Sequence, residues 1–144
     1  MSKTLKTDDQ RAYLASVLPQ NATGFELLYR GSAHGWNTSH FHSRCDGKGR
    51  TVTIFESEVG YLAAGYTSIP WSSGGGGKED SSAFLCALTN KMQLFKPGDQ
   101  KYAVYHFINA GPYWQELGAW GSPMNAIDSG LCSTNGVYRI PKDG

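Results

Sequence analysis

The sequence predicts an α+β domain in which short helices bracket a run of antiparallel strands, laid out as a sandwich or a meander. Three observations carry this. Apolar residues recur at helical spacing near the N-terminus, at Tyr13, Leu14, Val17 and Leu18. From Thr51 the period changes to two and β-branched residues gather, as strands require. Glycine is abundant, 18 of 144 residues with six prolines beside it, so the segments must be short and separated by tight turns.

Taken in order, Thr7 or Asp8 caps a helix over residues 8–18, and Pro19 stops it. A polar stretch leads into a strand over 25–30, followed by a glycine-flanked turn at 31–35. A short helix then spans 37–46, with Trp36 at its entrance, Asn37 or Thr38 as N-cap and Gly47 as its stop. Residues 51–57 and 60–67 pair as an antiparallel hairpin that turns at Glu58-Val59. Residues 68–81, with Pro70, Trp71 and the glycines 74–77, read as a mobile surface loop. The short continuous apolar run over 82–90 reads as a buried strand. Two more strands, 92–96 and 102–108, flank a Pro97-Gly98-Asp99 turn, and 137–140 forms the last strand. No internal repeat is visible.

Composition narrows the function. Hydrophobic residues make up 40% and aromatics 12%, enough for a core, and the length suits one domain over residues 1–144. Thirteen Lys+Arg against twelve Asp+Glu leave a formal charge of +1. That lacks the basic stripe of a nucleic-acid binder and is compatible with a protein partner. No apolar run reaches membrane-spanning length, so no membrane insertion is expected. No apolar segment follows the basic residues of the N-terminus, which places the chain in the cytoplasm. Cys45, Cys86 and Cys132 are odd in number and far apart, as suits reduced thiols. Asn21-Ala22-Thr23 and Asn37-Thr38-Ser39 read as chance glycosylation matches.

No motif singles out a catalytic, cofactor-binding or metal-binding residue. The run Ser73–Glu79 has the glycines of a phosphate loop but not its frame: Ser72 stands where the first glycine belongs, and Glu79 follows Lys78 where a hydroxyl belongs. His40 and His42 are two apart on a helix and cannot converge on a metal, whereas His42 and Cys45 share a face but need further ligands, with His106, Cys86 and Cys132 distant. Cys45, His34 and His106 are raw material for nucleophilic catalysis without a local signature. Glu56 and Glu58 lie on one strand face and read as solvated.

One longer pattern is specific. Leu27-Leu28-Tyr29-Arg30-Gly31-Ser32 with Gly35-Trp36 precedes Phe41-His42, Cys45-Asp46-Gly47-Lys48-Gly49 and Thr51-Val52-Thr53-Ile54. Gly60-Tyr61, Gly65-Tyr66-Thr67-Ser68, Pro70-Trp71, Lys78-Glu79-Asp80, Ala83-Phe84-Leu85 and Leu88-Thr89-Asn90 then follow. In order and spacing this resembles the TLDc domain family over residues 25–112, ending at Gly111-Pro112. The resemblance implies a sandwich of two antiparallel sheets with flanking short helices. It also implies a non-enzymatic interaction domain linked to oxidative-stress protection, and a protein partner in the vacuolar proton-pumping ATPase. The residues themselves explain much of the pattern. Phe41 and Cys45, four apart, face the sheet together; Trp36 and Trp71 anchor loops; Phe84, Leu85 and Leu88 are core.

The chain departs from the family in three places. Ala63-Ala64 stands where Phe-Gly is usual, and Tyr113–Gly118 replaces the usual continuation after Gly111-Pro112, of which Asp128 is a loose remnant. The acidic, apolar closing strand is not recognisable, which predicts a divergent or shortened C-terminal part and a sheet edge left unpaired. The alternatives are a redox-active or hydrolytic enzyme using Cys45, whose neighbours Arg44 and Lys48 would favour a thiolate, or a stand-alone oligomerising module.

Overall fold

Helix α1 (Asp8–Val17) begins on a capping box: Thr7 accepts from the Gln10 backbone while the Gln10 side chain returns to the Thr7 backbone. The same buried Gln10 donates from Nε2 to the Leu88 carbonyl at 3.0 Å, which docks the helix on the sheet. These details come from a computed structural model that describes residues 5–57, 60–89, 91–96, 100–106, 112 and 132–140. Lys6 fastens the approach to α1 by an ion pair to Glu56 at 2.6 Å. Glu56 is therefore engaged, while Glu58 and the expected turns at 58–59 and 97–99 lie outside the described residues.

Strand β1 (Glu26–Tyr29) is followed by α2 (Gly31–His34) and α3 (Thr38–Cys45). The turn expected at 31–35 is thus one helical turn. The Arg30 backbone N–H donates to His34 Nδ1 at 3.0 Å, and Gly35, at φ +105°, ends the turn. Asn37 occupies the N-cap of α3, and Gly47, at φ +73°, turns the chain away after it.

The hairpin is as expected: β2 (Thr51–Ser57) pairs antiparallel with β3 (Leu62–Thr67), Thr51 opposite Thr67. Further along lie β4 (Gly77–Lys78), β5 (Phe84–Ala87), β6 (Gln93–Phe95), a 3-10 turn (Gln100–Tyr102), β7 (Val104–Tyr105) and β8 (Cys132–Arg139). Six strands form one sheet in the order β1-β8-β2-β3-β5-β6, and β4-β7 form a second. The sandwich is unequal, with six strands against two among the described residues.

Alternation along the strands divides the core in two. Val52, Ile54, Leu62, Ala64, Tyr66, Phe84, Cys86 and Tyr138 pack with Leu14 of α1 and with Leu18 just after it on one face. Phe55, Leu85 and Val137 pack with Tyr29, Phe41, Cys45 and Trp71 on the other. The large sheet is therefore covered on both sides, which accounts for the near-continuous apolar run at β5.

Two expectations fail here. The last strand is twice as long as 137–140 and does not close the sheet from outside: β8 lies between β1 and β2, bonded to both. The sheet ends at β1 and β6 instead. Asn135-Gly136 resembles a turn in sequence, yet Ile54 faces Gly136 and Phe55 faces Thr134, so Asn135 is the extra residue of a bulge. Gly136 is required because a Cβ there would lie 2.6 Å from the Tyr138 ring. Secondly, residues 68–81 are not a free loop. Trp71 is buried and bridges Asp46, and Gly77-Lys78 pairs with Val104-Tyr105. No helix among the described residues is long and apolar enough to cross a membrane.

Candidate functional site

A polar cluster that joins three separated segments lies where the C-terminal end of α3, the 71–78 segment and the end of β7 meet. Asp46 ends α3, so its carboxylate lies one turn beyond His42, and Oδ1 is 2.8 Å from His42 Nδ1. The other oxygen, Oδ2, accepts from Ser73 Oγ at 2.6 Å. The Gly47 N–H donates to the Trp71 carbonyl at 2.9 Å, so the main chains are joined as well.

Trp71 is the anchor beneath this join. Its Nε1 donates to Thr51 Oγ1 at 3.0 Å, and its ring meets Phe41 edge-on at 5.6 Å and His106 at 5.2 Å. The indole thus binds the 71–78 segment to the sheet as a loop anchor. On the far side Ser72 Oγ lies 2.8 Å from His106 Nδ1. The glycine run continues the attachment: Gly75 N–H donates to the His106 carbonyl and His106 N–H to the Gly76 carbonyl. Gly75 and Gly76 sit at φ +83° and +79°, which a Cβ would disfavour.

His106 is only 2% exposed. Burial drives its pKa down to about 4, with Lys78 and His42 pushing the same way and Asp46 opposing. The imidazole is therefore neutral at pH 7, and its Nε2 has no hydrogen-bond partner among the described residues. Ser72 and His106 have the spacing of a nucleophile and its base. Asp46, however, divides its two oxygens between His42 and Ser73 and does not orient the His106 ring. The cluster clamps the 71–78 segment between α3 and β7.

The sequence candidates scatter differently. Cys45 has 0% exposure, and burial, with Asp46 beside it, pushes its thiol up against the weaker pull of Arg44 and Lys48. Desolvation thus outweighs the flanking cations and disfavours the thiolate that the Cys45 alternative needs. Burial likewise pushes the Cys86 thiol up to about 12. His40 is exposed while His42 is buried, so the two do not converge. His34 stands apart from the cluster, against the Tyr29 ring at 6.1 Å. Among the described residues no group of three His, Cys, Asp or Glu side chains is placed to hold a metal ion. Sequence reasoning missed the Ser72–His106 and Ser73–Asp46 bonds, whose partners are 34 and 27 residues apart. The i,i+4 spacing of His42 and Asp46 on a helix was the one available signal.

Fold and cluster together define a small α+β sandwich domain whose interior polar groups fasten one layer to the next. The family model for the TLDc domain matches residues 1–125 of the chain, and the chain belongs to the TLDc domain family. No curated protein matches it at a significant level.

Proposed function

We propose that the chain is a non-enzymatic TLDc interaction domain of the cytosol, which binds and regulates the vacuolar proton-pumping ATPase and contributes to protection from oxidative stress. The observation that carries this reading is membership of the family over residues 1–125. The chemistry of the interior supports a binding role: both described thiols are buried and shifted away from the thiolate, and Asp46, Ser72 and Ser73 are engaged in joining layers. A pull-down with the purified pump at physiological salt tests it. Retention of the pump at micromolar domain concentration is the expected result, and no retention at that concentration overturns it. Expression in peroxide-challenged cells reads the second process, with improved survival expected over a vector control.

A further inference from the structure

The large sheet ends in β1 on one side and in β6 on the other, and the two edges are built differently. A free edge presents a row of unpaired N–H and C=O groups to any extended chain that reaches it. On β1 the pairing register breaks between Leu27 and Tyr29, and Glu26 is tied to Arg139 at 3.3 Å. A bulge of this kind turns an edge away from further pairing. On β6 the register is regular: Gln93, Leu94 and Phe95 face Ala87, Cys86 and Leu85 in turn. Gln93 and Leu94 make no hydrogen bond among the described residues beyond that ladder.

Two lysines frame this open stretch. Lys91 and Lys96 are exposed, and neither makes an ion pair or hydrogen bond among the described residues. Lys6, Arg11 and Arg139, by contrast, each face a carboxylate. Between the lysines Leu94 is 37% exposed on the α1 side of the sheet, since it faces Cys86, which packs there. Phe95 packs against the core on the other side. A strand laid alongside β6 therefore finds an apolar neighbour on each face and a cation at each end.

Charge decides which strand fits. A second copy of the chain extends the sheet across a two-fold axis by pairing β6 antiparallel with itself. The register that pairs all six residues 91–96 sets Lys91 of each copy against Lys96 of the other, so like charges meet at both ends. A segment of the same length with acidic ends meets opposite charges at both. We infer that residues 91–96 are a docking edge for an extended segment of a protein partner, which adds a strand to β6 with an acidic residue opposite each lysine and apolar residues between. This rests on the interaction-domain reading and supplies its partner chemistry.

The test uses the whole chain and a fluorescein-labelled peptide, Glu-Val-Ile-Thr-Val-Glu, read by anisotropy at about 50 mM and about 200 mM salt. Binding saturates, weakens at the higher salt, and falls about fivefold with Lys91→Glu or Lys96→Glu and about tenfold or more with both. Lys48→Glu leaves it unchanged, since that exposed lysine is held through its carbonyl by Arg139 of β8, three strands removed from β6. Methylating alternate backbone nitrogens of the peptide blocks one edge of the added strand, so one set abolishes binding and the other leaves it intact. Thermal unfolding confirms that each variant folds, with Lys91→Gln and Lys96→Gln in reserve as milder changes. Absence of saturable binding overturns the inference, as do equal effects of the two methylated peptides or equal weakening by Lys48→Glu. Equal binding of a peptide with lysines in place of the glutamates, or tighter binding of a single-stranded oligonucleotide, also overturns it. By light scattering, a dimer that the peptide dissociates gives the edge to a second copy and overturns it too. With the proton pump, retention of wild type and loss of the doubly substituted chain supports the edge, and retention of both overturns it. If neither is retained, the proton-pump reading fails and the peptide result alone decides the edge.

Discussion

Lowering the pH from 7 to 5 weakens this fold chiefly through the His106 imidazole. His106 has a pKa near 4 in the folded chain against an ordinary value of 6.5, chiefly because it is buried, with Lys78 adding to the effect and Asp46 opposing it. Between those two values the unfolded chain carries a proton on this ring and the folded chain does not. Stability is therefore whole above pH 6.5, falls by about 1.4 kcal/mol per pH unit as the pH drops toward 4, and levels off below. The full window is worth about 3 kcal/mol, and the part from pH 7 to 5 about 2 kcal/mol. Stopping at pH 5 keeps most carboxylates charged, so the imidazole dominates. The assay is urea unfolding followed by tryptophan fluorescence, for wild type and for His106→Gln, whose amide can still bond Ser72 but does not titrate. His34 is lowered in the same direction and remains in both proteins, so the difference isolates His106. Wild type should lose about 2 kcal/mol more than the variant over this range. Equal losses, or a wild type more stable at pH 5 than at pH 7, would refute the reasoning.

Three further outcomes are expected. Gly136→Ala drives a Cβ to within 2.6 Å of the buried Tyr138 ring, at a cost of about 1–3 kcal/mol in chemical denaturation, and its effect should shrink in Tyr138→Ala. Asp80→Ala strands the Thr67 and Ser68 hydroxyls and the Ser68 and Ser82 backbone N–H groups, lowering stability by roughly 3 kcal/mol or more in the same assay. Cys45 and Cys86, both buried, should stay unlabelled by a thiol reagent in the native chain and label fully in denaturant; mass-spectrometric mapping that finds native Cys45 modified would reopen thiol chemistry.

Local signals in the sequence disclosed the elements built from local physics. Thr7 or Asp8 announces the start of α1, the alternation at residues 51–57 and 60–67 announces β2 and β3, and Phe41 with Cys45 announces the buried side of α3. What stayed hidden depends on distant pairing. The polar Cys-Ser-Thr-Asn-Gly stretch has weak strand propensity, and it becomes a strand because β2 offers it a partner, while β1 pairs with the residues that follow it. The 71–78 segment looks like an unattached glycine loop until His106 and Asp46 arrive to bind it. The resemblance to the TLDc family identified the family directly, whereas the clamp around Trp71 could be seen only once three separated segments were brought together.

The position of β8 has a consequence for how the chain comes off the ribosome. Ser57 ends β2 and Cys132 begins β8, 75 positions later, which at usual synthesis rates is roughly 4–15 s of translation. Throughout that interval β1 and β2 have been made, but the strand that belongs between them has not. The nascent domain must wait with a slot the width of one strand, open to any extended segment that reaches it first. A chaperone that shields residues 26–57 until β8 emerges would raise the yield of native protein, and a competing strand supplied in that interval would lower it.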